Sequence, residues 1–232
     1  MGKKLPLSVM IHIPVAKAFE RIFRHHVGQG LILDPTCGIR IMHKNLFNKP
    51  LFHEKYEFVF GDIDRGCKPQ INLDCRKLPF RDNSFDCVIL DPPYLQHEPT
   101  ERKFGGRLGR FKEYGFHNRP TTRMDFYDLI EKSVNESVKV LKKGGILIIK
   151  CGDEYRDKLL FLHHVEVIKR IPFEMHIIDL IIYRFHHANI PLFQVRYGRG
   201  SRKTFLIVHS YFIVCQKITE SSVETPEIEI VV

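Results

Sequence analysis

Four aspartates stand where short apolar stretches of the sequence end, and they are the first indication of a binding site. Asp34 closes "LILD", Asp62 lies in "YEFVFGDID", Asp74 closes "QINLD", and Asp91 follows "FDCVIL". Each stretch has the apolar, β-branched composition that is typical of a short strand. A row of carboxylates on one edge of a sheet is costly unless a ligand is there to receive it. The pattern therefore predicts a ligand-binding edge.

The segment after Asp91 can hold that carboxylate in a defined place. Pro92, Pro93 and Tyr94 follow it directly. Neither proline can donate to a β-ladder, and each keeps φ near about −65°. We therefore expect the strand to end at Asp91, which is then held beside a rigid, extended dipeptide and an aromatic ring.

Strands and helices alternate along most of the chain. Helices are predicted over 14–26, over 124–145 (where Gly144 should end the helix) and near 154–168. Strands are predicted over 31–34, 56–64, 70–74, 85–90 and 146–150, near 175–184, and over 205–215. This alternation predicts an α/β fold with crossover connections and a mostly parallel, seven-stranded sheet. Ligands of such sheets collect at the carboxyl ends of the strands, where the aspartates stand.

Charge points to a polyanionic partner. The 232 residues carry a net charge of +9, and residues 218–232 hold four glutamates and no Lys or Arg, so residues 1–217 carry +13. A basic body of this kind favours nucleic acid as the partner, and a generic basic surface is the alternative. We expect a single domain over 1–217 and an acidic, disordered tail over 218–232.

One long polar segment, 97–123, is too long for a simple connection. From Glu101 to Arg123 it holds seven Lys or Arg against two acids, with aromatic residues between them. Such a loop could grip phosphates and offer surfaces on which bases stack, although a mobile surface insertion is the alternative. A second basic loop, 196–203, joins the last two predicted strands.

Several classes of protein are disfavoured. No apolar run reaches the ~18 residues of a membrane span. The first residues lack the features of a signal peptide, so a cytoplasmic protein is expected. The six cysteines are scattered without a CxxC pair, which predicts free, buried thiols and no metal site.

Taken in order, "LILDPTCG", "FGDID", "NLDCRKLPF" and "SFDCVILDPPY" resemble the class I S-adenosylmethionine-dependent methyltransferases. Among these the chain is similar to the amino-methyltransferases of DNA, which share a [D/N/S]-P-P-[Y/F/W] signature, and to their small phage and archaeal members without a separate target-recognition domain. The resemblance covers roughly residues 8–217. It implies a doubly wound, Rossmann-like sheet with an antiparallel last strand, and S-adenosyl-L-methionine as cofactor.

The resemblance also implies a cofactor site. The segment that approaches the methionine part of the cofactor matches Asp34, Pro35, Thr36, Cys37 and Gly38. Asp62 matches the acid that binds the ribose hydroxyls, and Asp64 is an alternative because the two would share a strand face. Asp74 matches the acceptor for the adenine amino group, with Cys75 beside it. Residues 39–40 stand where a second glycine is usual.

The catalytic role falls by the same resemblance on Asp91, Pro92, Pro93 and Tyr94. An exocyclic amino nitrogen is a poor nucleophile because its lone pair is delocalised into the ring. Two acceptors against its N–H bonds, the Asp91 carboxylate and the Pro92 carbonyl, would favour a pyramidal nitrogen. Tyr94 offers a ring for stacking, and the base must be flipped out or single-stranded to arrive there.

The leading hypothesis is therefore a DNA amino-methyltransferase acting on adenine N6, with cytosine N4 also open. An RNA amino-methyltransferase, for example one acting on guanine N2 of tRNA, is the second. A nucleic-acid-binding module without catalysis is the third, since the usual second glycine of the loop is missing.

Overall fold

The computed structural model describes residues 10–11, 13–47, 52–93, 122–156, 159–184 and 209–219. The strands in these residues are β1 (Met10–Ile11), β2 (Gly30–Asp34), β3 (Tyr56–Asp62), β4 (Ile71–Asn72), β5 (Phe85–Leu90), β6 (Leu141–Cys151), β7 (Glu154–Arg156), β8 (Leu159–Phe161), β9 (Met175–Arg184) and β10 (His209–Lys217). The helices are α1 (Val15–His26), α2 (Lys44–Phe47), α3 (Phe52–Lys55), α4 (Arg123–Val140) and α5 (His163–Ile168), with a short 3-10 turn at Arg65–Cys67.

Eight of these strands form one sheet in the order β1-β9-β10-β6-β5-β2-β3-β4. The run from β4 to β6 is parallel throughout, and β10 is antiparallel to both of its neighbours. β7 and β8 form a separate hairpin. The predicted α/β sheet with an antiparallel last strand is confirmed, and the two-residue β1 adds an eighth strand to the seven expected.

The central strands are apolar on both faces because helices cover both. Val88 and Leu90 of β5 pack in one core with α4, while Cys87 and Ile89 pack in a second core with α1. Consecutive side chains of a strand point to opposite faces, so a strand covered on both sides is a continuous apolar run. The helices thus leave the carboxyl ends of the strands as the polar edge of the sheet.

The end of α4 differs from the prediction. The helix stops at Val140, β6 begins at the next residue, and Gly144 lies inside that strand with φ +75°. Donors from elsewhere take the last carbonyls of the helix: the backbone N–H groups of residues 83–84 and the ammonium of Lys217. These partners are distant in sequence, so helical periodicity alone placed the end of the helix too late.

The predicted helix near 154–168 is wrong in its first half. The β7–β8 hairpin occupies that part of the chain, and α5 begins only at His163. The carboxylate of Asp153 accepts from the backbone N–H of His164 at 3.2 Å, within the first turn of α5. This tertiary contact helps to set the start of the helix.

A partly exposed contact fixes the amino end of β2. Asp86 of β5 accepts from the backbone N–H of Leu31 at 2.8 Å and pairs with Lys142 of β6 at the same distance. Gly30, with φ +121°, lies so close that an added Cβ would stand 2.2 Å from Oδ2 of Asp86. The glycine therefore allows one carboxylate to join three strands.

We expect Gly30→Ala to lower the free energy of unfolding by about 2 to 4 kcal/mol, because it adds backbone strain and displaces Asp86 from its partners. Chemical denaturation measures the change. Gly28→Ala is the matched control, since no described residue lies within 4 Å of a Cβ at that position. Equal losses in both variants would contradict the account of Gly30.

Candidate active site

Three of the predicted aspartates meet at the carboxyl edge of adjacent strands. Asp34 ends β2, Asp62 ends the neighbouring β3, and Asp91 follows β5 on the other side of β2. Asp34 is 1% exposed. Burial above all, and then the charges of Asp91 and Asp62, raise the pKa of Asp34 well above its ordinary value. The hydrogen bonds from Thr36 only partly oppose this shift.

Thr36 joins the loop after β2 to the strand that carries Asp91. Its backbone N–H and its hydroxyl both donate to Oδ1 of Asp34, at 2.9 and 3.3 Å. The same hydroxyl oxygen accepts from the backbone N–H of Asp91 at 2.8 Å. The predicted cofactor loop and the predicted catalytic segment are therefore held together by one side chain.

Asp62 fastens the other side of that loop to β3. Its carboxylate accepts from the N–H of Gly38 and from the N–H of Asp64, each at 2.8 Å. Burial raises the pKa of Asp62, and these two hydrogen bonds work against the shift. Cys37 adds a backbone bond to the carbonyl of Gly61 at 3.0 Å.

The left-handed backbone of the loop explains its unusual sequence. Gly38 has φ +47°, and no described residue lies within 4 Å of a Cβ added there. Among the described residues, the backbone conformation and not a lack of space therefore explains this glycine. Arg40 stands where a second glycine is usual and also has a positive φ, +59°. Its guanidinium donates to the carbonyl of Lys68 at 3.0 Å and lies 5.3 Å from the centre of the Phe60 ring. These contacts help to hold the Arg40 backbone in a left-handed conformation that favours glycine.

Asp64 lies beyond the strand, which corrects the expectation that it shares a strand face with Asp62. β3 ends at Asp62, and Oδ1 of Asp64 accepts from the N–H of Gly66 at 2.7 Å, where it caps the 3-10 turn. Oδ2 of Asp64 is buried without a hydrogen-bond partner among the described residues. One carboxylate oxygen is thus left for a donor at the end of β3.

The side chains of Asp74 and Cys75 both have partners within the protein. Asp74 pairs with the Arg76 guanidinium at 2.6 Å, and this contact lowers the pKa of Asp74. The sulfur of Cys75 accepts from the hydroxyl of Ser133 in α4 at 3.1 Å, and burial raises the pKa of this thiol to about 11. Cys75 thus turns its side chain into the core, and any donor that reaches Asp74 must share it with Arg76.

Lys150 of β6 is a site residue that the sequence interpretation missed. Its ammonium donates to both carboxylate oxygens of Asp91, at 2.8 and 3.1 Å. Leu90 pairs with Ile149 across the sheet, so the following residue of each strand lies at the same level. The signal in the sequence was a single lysine at the end of the apolar run "ILIIK".

A sequence profile described as DNA methylase, of the family N6_N4_Mtase, matches residues 85–227, which is more than half of the chain. The chain belongs to the DNA methylase family. This membership confirms the resemblance found in the sequence. No curated protein matches the chain.

Solved structures similar to this DNA methylase family member are distant. TrmN from Thermus thermophilus is 14% identical, with a TM-score of 0.49 over 88% of this chain and 48% of that one. A second protein from Thermus thermophilus, a proposed DNA modification methylase in complex with S-adenosyl-L-methionine, is 24% identical, with a TM-score of 0.42 over 63% and 54%. The chain spans about half the length of these two proteins. Likeness at this level carries no argument about function.

A second polar cluster that the sequence interpretation missed lies one strand beyond Lys150. Asp153 accepts from Nδ1 of His164 at 2.7 Å, and the His164 ring stacks on Tyr211 with centroids 3.9 Å apart. The Tyr211 hydroxyl lies 3.0 Å from Nε2 of His209. Burial, and then the charge of Asp153, raise the pKa of Tyr211 to about 12. Tyr211 pairs with Cys151, so the cluster borders the same edge of the sheet.

Other predictions meet the structure only in part. Tyr94, residues 97–121 and the loop 196–203 lie outside the described residues. All six cysteines are free and buried, as predicted. Among the residues described, no group of three or more His, Cys, Asp or Glu side chains is arranged so that it could hold a metal ion, and no helix is long and apolar enough to cross a membrane.

Thr36 generates a first prediction from the site. Thr36→Val removes the acceptor for the Asp91 N–H, and we expect a loss of about 1 to 3 kcal/mol in the free energy of unfolding, because a half-buried donor is left unpaired. Thr36→Ser keeps the hydroxyl and should lose no more than about 1 kcal/mol in the same urea titration. Similar losses for valine and serine would contradict the bridging role of the hydroxyl.

His43 lies under the loop and generates a second prediction. Its Nε2 is 3.2 Å from Oδ2 of Asp34, outside hydrogen-bonding geometry, and the rings of Phe19 and Phe60 lie 5.2 Å from its own. Burial, and then the charge of Arg40, lower the pKa of His43 from 6.5 to about 3. Below its ordinary pKa an unfolded histidine binds a proton, whereas folded His43 stays neutral. Unfolding is then favoured as the pH falls.

We therefore expect wild type to lose stability relative to His43→Phe as the pH falls from about 6 to about 4, by up to about 1.4 kcal/mol per pH unit. Phenylalanine suits this aromatic surrounding and has no proton to bind. Urea titrations of both proteins at several pH values give the difference. A difference that does not change with pH would show that His43 is protonated in the folded state.

Proposed function

We propose that this chain transfers the methyl group of S-adenosyl-L-methionine to the exocyclic amino group of a base in DNA, with adenine N6 as the first candidate and cytosine N4 as the second. The observation that carries the proposal is the hydrogen bond between Thr36 and Asp91. It joins the loop that the family resemblance assigns to the cofactor to the Asp-Pro-Pro segment that the resemblance assigns to the reaction. Membership in the DNA methylase family supports the same reaction.

The residues at the ends of β2 and β3 fit the cofactor. The buried, unpartnered Oδ2 of Asp64 can accept from a ribose hydroxyl. The Asp62 carboxylate has about four lone-pair directions, more than its described backbone donors occupy, and can accept a further donor. The family resemblance assigns Cys37 and Gly38 to the methionine part. When bound, S-adenosyl-L-methionine supplies an electrophilic methyl group on a sulfonium.

The chain's own contribution is to hold the acceptor nitrogen. The Asp91 carboxylate accepts one N–H of the amino group, and the Pro92 carbonyl accepts the other. This favours a pyramidal nitrogen whose lone pair is localised on the nitrogen and no longer delocalised into the ring. The bond from Thr36 and the fixed φ angles of Pro92 and Pro93 set both acceptors in place before the base arrives. Asp91 also lies where it can take the proton that the nitrogen releases.

We propose nucleic acid as the partner, DNA before RNA, and a cytoplasmic site of action. The net charge of +9 supports a polyanionic partner. The basic segments 97–123 and 196–203 are the candidates for phosphate contacts. A duplex base must be flipped out to meet Asp91, at a cost of a few kcal/mol.

The test is methyl transfer from labelled S-adenosyl-L-methionine to duplex DNA, single-stranded DNA or tRNA. We expect label on DNA, and Asp91→Ala should lower the rate by about 10² to 10³-fold, as the loss of a positioned polar group in an active site does. The cofactor affinity of that variant should stay within about threefold, because Asp91 contacts the base. Asp128→Ala, which removes an exposed carboxylate from α4, is the matched control and should keep the wild-type rate.

Each other outcome changes a different part of the proposal. Label on tRNA alone would replace DNA by RNA as substrate, and no label on any nucleic acid would overturn the methyltransferase assignment. Loss of cofactor binding in Asp91→Ala would show that Asp91 belongs to the cofactor site. Mass analysis of the labelled base separates adenine N6 from cytosine N4.

A further inference from the structure

The ion pair of Lys150 with Asp91 is less exposed to solvent than the pair of Lys142 with Asp86 in the same sheet. The Lys150 side chain is 12% exposed and that of Asp91 is 24% exposed. In the pair of Lys142 with Asp86, the side chains are 45% and 31% exposed. Charges that are partly removed from water interact more strongly and are screened less by salt. Lys150 therefore stabilises the Asp91 carboxylate more than a lysine in an exposed pair would.

The surroundings of Asp91 contain several other carboxylates. Asp34 from the end of β2 faces Asp91, and the charges of Asp91 and Asp62 both act on Asp34. Asp91 and Asp153 both act on the thiol of Cys151, which lies next to Lys150 in β6. Without its cation, the Asp91 carboxylate would lie half-buried among other carboxylates. Such a group takes up a proton more readily.

The proposed reaction needs Asp91 as an acceptor. An ionised carboxylate offers about four lone-pair directions, whereas the protonated form gives up acceptor capacity to an O–H donor. Lys150 occupies one direction on each oxygen of Asp91. No other described residue donates to these oxygens, so the remaining directions can accept an amino N–H while the lysine keeps its place.

We propose that Lys150 is a positioning residue, which keeps Asp91 ionised and aims its free lone pairs at the target amino group. This proposal rests on the proposed function. Lys150 acts through Asp91, and neither the base nor the methyl group needs to touch it. The backbone of β6 supports this role, because the strand is paired on both sides, with β5 and with β10.

The first experiment compares Lys150→Met with Lys150→Arg in the methyl-transfer assay across a range of pH. In Lys150→Met we expect kcat to fall about 10- to 100-fold, with the KM for S-adenosyl-L-methionine within about threefold. The acid limb of the kcat profile should move to higher pH by about 1 to 3 units, because a neutral side chain no longer favours the anion. Lys150→Arg keeps the positive charge, so its acid limb should stay at the wild-type position.

A second background separates positioning from a structural role. Asparagine occurs in the family signature at the place of Asp91, and its amide cannot ionise. In an Asp91→Asn background, adding Lys150→Met should change kcat by less than about threefold, because no charge is left to hold. The same loss in both backgrounds, or equal losses for methionine and arginine, would overturn the proposal.

The ionisation can also be followed without activity. NMR titration of the Asp91 carboxyl carbon, assigned by comparison with Asp91→Asn, should show a midpoint about 1 to 3 pH units higher in Lys150→Met than in wild type. Lys142→Met is the matched control and should leave the Asp91 titration unchanged, because that lysine pairs with Asp86 at the other edge of the sheet. An unchanged midpoint in Lys150→Met would overturn the inference. A shifted midpoint in a protein that methylates no nucleic acid would overturn the proposed function and leave in place only the effect of Lys150 on the ionisation of Asp91.

Discussion

The site depends on keeping several carboxylates together at one edge of a sheet, and the fold does this in three different ways. Asp34 is deeply buried, and burial raises its pKa well above the ordinary value. Asp62 accepts two backbone N–H groups, which link the loop after β2 to β3. Asp91 faces the ammonium of Lys150. Because each carboxylate is stabilised by different means, all of them can lie near one another without mutual repulsion opening the edge.

Thr36 links two of these carboxylate-bearing segments, the ends of β2 and β5. Its hydroxyl donates to Asp34 and accepts from the backbone of Asp91, so the carboxyl ends of β2 and β5 are joined. Neighbouring parallel strands bring two such ends together, and in open α/β sheets this is where ligands bind. A hydroxyl is suited to the junction because it can donate and accept at once.

Much of this was accessible from local patterns. β5 was predicted to the residue, and its end follows from two prolines that cannot continue a ladder; β9 was predicted near its observed bounds. The boundaries that failed depend on distant groups. α4 ends where the N–H groups of residues 83–84 reach its carbonyls, and α5 starts beside the carboxylate of Asp153. Periodicity within one segment carries no information about such partners.

The sequence by itself determined the α/β class, the edge at which the aspartates gather and the Asp-Pro-Pro segment, because these follow from apolar alternation, strand ends and proline geometry. Only the tertiary structure decided what each carboxylate does. Asp64 caps a turn and Cys75 packs in the core. Lys150 contacts Asp91, although the two residues are 59 positions apart in the chain. Hydrogen bonds and ion pairs act over a few ångströms of space, so the partner of a charged side chain is known only when the strands have been placed side by side.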